Sequence, residues 1–336
     1  MRRLAGLVAL ALMAPVTPAA GAQAGADVGR DAPAPAPAPV RDIEYGSANG
    51  KRLLLDAYLP AGGAERRPAV VMIHGGGWRV GDKASWQPEA EQLAGKGWAA
   101  FSINYRLDEP AVFPAEIDDV QAAVRWVRAH AEEYRIDPAR IAALGESAGG
   151  HLAAMLATLG TGPLDRDARI RVGAAWSPPV DLTALAGSRG ASWIGPLLGC
   201  NQQTCPDRLA QSSPVTHVDP SDAPLYLVNS TREIVPLSQS QAMAERLKAA
   251  GVDHRLDVYE GNRHALDFRA DAWAPTLAFL EKHLAAVPAP EDDSDTPVGW
   301  LAGFAVGVLA VATVLVLRRR RRPSRPERPS EGAIRP

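Results

Sequence analysis

Ile141-Ala142-Ala143-Leu144-Gly145-Glu146-Ser147-Ala148-Gly149-Gly150-His151-Leu152 decides the fold of this chain. Its first four residues form a continuous apolar run that reads as a buried strand, and His151 to Ala157 reads as a helix. A serine held between glycines on a strand-to-helix turn is a nucleophile elbow. The turn is sharp, so Gly145 and Gly149 remove clashes that side chains would make and leave the Ser147 hydroxyl projecting above the sheet edge. The helix that begins there aims unpaired N–H groups at negative charge forming beside the serine.

Working outward, residues 41–287 alternate short apolar runs with amphipathic stretches. Leu53 to Leu59 reads as an early strand and Ala69 to Ile73 as a buried one; Trp98 to Tyr105, Val172 to Trp176, Leu225 to Val228 and Arg255 to Tyr259 follow. Val120, Ala123, Val124, Trp126 and Val127 recur at helical spacing between Ala115 and Tyr134. Continuous apolar strands separated by helices predict a parallel sheet covered on both faces. The site of such a sheet lies at the carboxyl ends of its strands, where Ser147, His74, Arg232 and His264 all fall.

His74-Gly75-Gly76-Gly77-Trp78 directly follows the Ile73 strand. A glycine run there lets backbone N–H groups approach a ligand atom, and together with the N–H of Ala148 they suit a tetrahedral oxyanion. The run lacks the lysine of a phosphate-cradling P-loop. His74 reads as a brace of that loop. A serine hydroxyl also needs a histidine to take its proton. Of the seven histidines, His264 lies just beyond the last strand, where a loop carries it over the elbow. His151 reads as packed against the sheet, and His130, His217, His254 and His283 as surface or capping residues.

Four segments together, His74–Trp78, Ser102-Ile103-Asn104-Tyr105-Arg106-Leu107, Gly145–Leu152 and Gly261-Asn262-Arg263-His264, resemble the α/β-hydrolase esterases. The nearest groups are the hormone-sensitive-lipase-like and the feruloyl/acetyl-xylan-esterase-like carboxylesterases, over most of residues 41–285. The resemblance implies an α/β-hydrolase fold, with a mostly parallel eight-stranded sheet and helices on both faces. It also implies cleavage of carboxylic esters through an acyl-serine, with Gly76, Gly77 and Ala148 as oxyanion donors. The third catalytic residue departs from the pattern. Family members place an acid three positions before the Val-Pro that follows the seventh strand, and here that position is Arg232. Glu233, next door, is the natural substitute because its longer side chain reaches around the turn. Asp181, after the sixth strand, is a second candidate, or a cap of the segment that follows. Loss of the acid is the third alternative.

The two ends of the chain carry other signals. Residues 1–24, with Met1-Arg2-Arg3 before an apolar Leu4–Val16 stretch and small residues at 20–24, read as a secretory signal peptide. Residues 25–40 are a Pro/Ala-rich linker unable to bury a core. Residues 288–297 form an acidic, proline-rich stalk, and residues 298–317 are twenty positions without a charge. That length makes a helix of about 30 Å, the thickness of a bilayer core. Trp300 stands at its entry, and Arg318 to Arg322 open a basic tail, residues 318–336, that holds its side in the cytoplasm. The expectation is a single-pass anchor with the catalytic domain outside the cytoplasm. Gly299, Gly303 and Gly307 put small residues on one face of this helix, compatible with a weak dimer, although glycine is common in such helices anyway.

The only cysteines, Cys200 and Cys205, lie close together; in an exported chain they read as a local disulfide rather than a metal site. They fall in the connection of residues 182–221, long enough to be a lid or binding loop over Ser147, or a mere excursion. A formal net charge of −2 gives no sign of nucleic-acid binding, and no cofactor or metal is implied. Three rival readings remain open: a non-catalytic cell-surface binding protein, motivated by Arg232, a cell-envelope acyltransferase, and a peptidase.

Overall fold

The computed structural model describes residues 37–285 apart from 64, 108–111, 186–190 and 201–203. The signal peptide, residues 25–36 of the linker, the stalk, the apolar segment with its glycines and the basic tail lie outside the described residues. Among the described residues no helix is long and apolar enough to cross a membrane.

Eight strands form one sheet in the order β1-β2-β4-β3-β5-β6-β7-β8. β1 (Val40–Ala48), β2 (Lys51–Tyr58) and β4 (Ala99–Ile103) form the antiparallel edge, with β2 opposed to both of its neighbours. β3 (Arg67–Ile73), β5 (Ile136–Glu146), β6 (Val172–Trp176), β7 (Leu225–Ser230) and β8 (His254–Tyr259) continue from β4 in parallel. The expected sheet is therefore present, with one strand that the sequence reading did not assign. β1 starts at Val40, the last residue of the predicted linker, and most of its length is exposed, so it lacks the apolar run that marks the other strands. Its signal is the turn: Asn49 (φ 51°) and Gly50 (φ 74°) are the Asn-Gly pair of a two-residue hairpin.

The parallel strands alternate their side chains between two cores. Ala69, Val71, Ile73, Ile141 and Ala143 face α2 (Ala115–Ala129), α3 (Ala148–Thr158) and α6 (Leu237–Ala250), packing on Val120, Leu152 and Met243. Val70, Met72, Ala142 and Leu144 face α1 (Gln87–Gly95) and α7 (Arg269–Leu284), with Trp86, Trp176, Phe268 and Leu280 filling the space. Burial on both faces is why these strands read as unbroken apolar runs. Parallel register then sets the site. Ile73 pairs with Gly145 and Gly145 with Ala175, so β3, β5 and β6 end level and deliver His74, Ser147 and Ser177 to one edge.

The 182–221 connection is neither a strand pair nor a bare loop. It contains α4 (Ile194–Leu198) and α5 (Pro206–Gln211), and Cys200 and Cys205 are joined in a disulfide with Cα atoms 6.2 Å apart.

Candidate active site

Ser147 adopts φ 52°, ψ −118°, a conformation sparsely populated for any residue with a side chain. It persists because its surroundings leave no alternative. The Ser147 N–H donates to the Trp176 carbonyl at 2.8 Å, and the His151 N–H donates to the Ser147 carbonyl at 2.9 Å. A Cβ at position 149 would overlap the carbonyl oxygens of Ile73 and His74, and one at 145 would overlap the carbonyl of Gly149. The glycines thus serve close backbone approach, as the motif predicts.

His264 stands opposite. Its Nε2 lies 3.0 Å from the Ser147 hydroxyl. Its Nδ1 pairs with one carboxylate oxygen of Glu233, whose side chain is fully buried. The other Glu233 oxygen accepts the Ser230 N–H at 2.7 Å, which fixes the carboxylate by its own backbone. The two loops that carry these residues are tied together: the Arg232 N–H donates to Gly261 O at 2.9 Å and Thr231 N–H to Tyr259 O at 3.0 Å. From the other side the Ala265 N–H donates to the Ser177 hydroxyl at 2.9 Å. Arg232 itself is exposed. Asp181 does not join the cluster; its Oδ1 accepts the N–H groups of Thr183 and Ala184, both at 3.0 Å, in the manner of a cap.

The glycine-rich loop crosses in front of Ser147 with Gly76 at φ 108° and Gly77 at φ 61°. Among the described residues, the N–H groups of Gly76, Gly77 and Ala148 donate to no backbone carbonyl. Gly76, Gly77, Ser147 and His264 share one cleft of about 510 Å³.

Three features of this loop were not read from the sequence. Glu146 is the first: its Oε1 accepts the Gly75 N–H at 2.5 Å, and burial pushes its carboxyl pKa up while that hydrogen bond pulls it down. The second is the role of Ser102-Ile103-Asn104-Tyr105, which was part of the family resemblance without an assigned task. Tyr105 stacks on the His74 ring at 4.5 Å and donates to the His74 carbonyl at 2.9 Å; the Ser102 hydroxyl and the Asn104 amide oxygen hold the Lys83 backbone at 2.5 and 2.7 Å. That segment clamps both ends of the loop, and His74 is the brace expected of it. The third is His151. Its Nδ1 accepts from the Trp78 indole at 3.2 Å, so its Nε2 carries the proton and donates to the Ser212 carbonyl at 2.7 Å. Complete burial pushes its pKa down to about 4 and keeps it neutral. A hydrogen bond between two side chains 73 positions apart has no local signature in a sequence.

Among the described residues no group of three or more His, Cys, Asp or Glu side chains is arranged to hold a metal ion. The arrangement can activate a hydroxyl and neutralise a developing oxyanion.

Known proteins are similar to this chain in sequence and fold. The chain is 30% identical over 275 residues to the probable carboxylic ester hydrolase LipM of Mycobacterium tuberculosis, covering 76% of this chain and 62% of that protein. It therefore spans about three-fifths of that relative's length. Among solved structures, Thermogutta terrifontis esterase 2 phosphonylated by sarin superposes with a TM-score of 0.63 at 28% identity, covering 72% of this chain and 93% of that one. A truncated carbohydrate esterase from gut microbiota, at 24% identity, shares the fold with a TM-score of 0.67 over 76% of this chain and 99% of its own. The BD-FAE family model matches residues 55–247, which takes in the glycine-rich loop, the elbow and Glu233, and the chain belongs to that family of the α/β-hydrolase fold.

Proposed function

We propose that this protein is a serine carboxylesterase that cleaves a small carboxylic ester through an acyl-serine, and that it works outside the cytoplasm on a C-terminal membrane anchor. The single observation that carries the chemistry is the 3.0 Å contact between His264 Nε2 and the Ser147 hydroxyl, with Glu233 behind the imidazole. In this reading Ser147 Oγ attacks the ester carbonyl carbon as its proton passes to His264 Nε2. The carbonyl π pair moves onto oxygen, where the N–H groups of Gly76, Gly77 and Ala148 receive the charge. Collapse breaks the bond to the alcohol oxygen, which takes the proton back from Nε2 and leaves. Water, deprotonated by the same nitrogen, then repeats the sequence on the acyl-serine and releases the acid. Glu233 holds the tautomer with Nδ1–H and faces the imidazolium when it forms. The hydrolase names of the relatives support ester cleavage, and the phosphonylated Thermogutta neighbour supports a nucleophile open to organophosphorus attack. The anchor rests on the uncharged residues 298–317 and the arginines after them.

The test is active-site labelling of the full chain. A fluorophosphonate probe is expected to label the wild type and not Ser147→Ala, and Ser147→Ala is expected to lose all turnover of p-nitrophenyl acetate above background. An unlabelled wild type with no esterase activity would sink the proposal. Protease added to intact cells is expected to remove the catalytic domain.

A further inference from the structure

The space around Ser147 is divided in two, and the two halves are unequal. Gly77 and Trp193 form the partition: the indole lies against the Gly77 backbone, 3.4 Å from where a Cβ would stand. On one side is the cleft of about 510 Å³ with His264, Glu146 and Val80. On the other is a cavity of about 10 Å³ between Trp78, Pro179, Leu185 and Val235, with Ala148 at its mouth. A cavity of that size holds about one water-sized group.

Chemistry assigns the two sides. An ester carbonyl bound at Ser147 carries two substituents, the acyl chain and the alcohol oxygen. His264 must hand its proton to the alcohol oxygen as that bond breaks, so the alcohol lies on the side that His264 lines. The acyl chain is left with the small cavity, which His264 does not line. Its far walls are packed into the body of the protein: Trp78, Leu185 and Val235 are each 2% exposed, and Trp78 is further held by His151. Trp193 is the one side chain among the described lining residues that is not buried.

We propose that Trp193, presented by the disulfide-bridged excursion, sets the limit on the length of the acyl group accepted at Ser147. This rests on the acyl-serine reading above. A longer acyl chain must displace the indole from Gly77, whereas the alcohol side has room for a ring-sized group. Trp193 lines both sides, but only on the acyl side is the space small enough for it to set a limit.

A series of p-nitrophenyl esters from acetate to hexanoate tests this on the full chain, because the leaving group is constant and only the acyl part varies. In the wild type kcat/KM is expected to fall by at least about a hundredfold from acetate to hexanoate, a lower bound for four added methylenes when an apolar pocket extracts about 10- to 200-fold for each one that does not fit. Trp193→Ala is expected to shrink that ratio by about tenfold or more, and Trp193→Phe to lie between. The ratio is the readout, because a general loss of packing lowers every ester alike. A wild type that cleaves hexanoate as well as acetate overturns the proposal, as does a Trp193→Ala ratio equal to the wild type's. A wild type that cleaves no ester of the series overturns the acyl-serine reading with it, an outcome distinct from a flat profile.

Discussion

Ser147 and Trp193 face each other across the same cleft, yet the chain builds their surroundings in opposite ways. Around Ser147 the determinants are backbone against backbone: glycines at 145 and 149 that admit no Cβ, and one register step that puts Ile73 beside Gly145. Almost all of them sit within a dozen residues of sequence. Trp193 is reached through a forty-residue connection and is held by the short helix α4 on its C-terminal side, whose Ile194, Leu197 and Leu198 are buried in the core. The Leu197 carbonyl accepts the Phe113 N–H at 2.7 Å, and the Leu198 carbonyl accepts from the Arg208 guanidinium at 2.6 Å. The difference teaches that, on the proposed reading, rate and selectivity have separate structural bases. Steric rules of a short turn set where the hydroxyl points, while long-range packing sets what can stand beside it. Substitutions on the Ser147 side should change how fast every ester reacts; those on the Trp193 side should change which ester reacts.

The sharpest break of that separation is at Glu233. Glu233→Gln keeps the volume of the side chain and removes the charge behind the His264 imidazole. By comparison with amide-for-acid changes in serine triads, kcat is expected to fall by about four powers of ten with little change in KM. The ratio of acetate to hexanoate turnover should stay as in the wild type, since no wall of the acyl cavity moves. Asp181→Asn, at a position whose carboxylate caps the Thr183 and Ala184 N–H groups, is expected to retain near-wild-type kcat. Full activity in Glu233→Gln together with a dead Asp181→Asn would transfer the role of the acid to Asp181.

The same divide separates the features that are legible in the sequence from those that are not. The elbow, the glycine-rich loop and the position of His264 after the last strand are local patterns with steric causes, so the sequence carries them openly. Glu233 was one of three alternatives because the usual position is Arg232. What separates the alternatives is geometric: the Glu233 carboxylate is anchored by its own neighbour's N–H at Ser230, while Arg232 is exposed. β1 escaped because a mostly exposed edge strand has no apolar run, although its Asn-Gly turn was in view. Glu146 escaped for a different reason. It is the unspecified position of the elbow motif, and its partner, the Gly75 amide, is 71 positions away. Trp193 carries no such local signal, since nothing in its own neighbourhood of sequence says that it meets Gly77.

His151 straps the two regions together and so gives the second prediction. It joins the elbow helix to Trp78 on the oxyanion side and to the Ser212 carbonyl at the far end of the excursion. Its pKa is pushed down to about 4 by burial, against an ordinary histidine value of 6.5. Below pH 6.5 the unfolded chain takes up a proton that the native state refuses, so native stability falls as the pH drops from 6.5 toward 4 and is unaffected above that window. The loss is on the order of 3 kcal/mol at its fullest. His151→Gln, which cannot be protonated, is expected to flatten this part of the curve of thermal midpoint against pH. An unchanged slope in that variant would remove His151 as its source.

The smallest effect is expected where the sequence drew most attention to the excursion, at its disulfide. The bridge closes a loop of only five positions, for which the chain-entropy argument gives about 2 kcal/mol of stabilisation. Trp193 lies outside that loop. It is placed by the turn that leads into α4, and α4 is held by Ile194, Leu197 and Leu198 in the core and by the Phe113 N–H on the Leu197 carbonyl. Replacing both Cys200 and Cys205 by serine is therefore expected to lower the thermal midpoint by a few degrees and to leave the acetate-to-hexanoate ratio as it is in the wild type. If the double substitution instead relaxes that ratio as far as Trp193→Ala does, the bridge rather than the buried face of α4 holds the indole against Gly77. Acyl selectivity would then depend on a covalent tie within the excursion and not on its packing against the body of the protein.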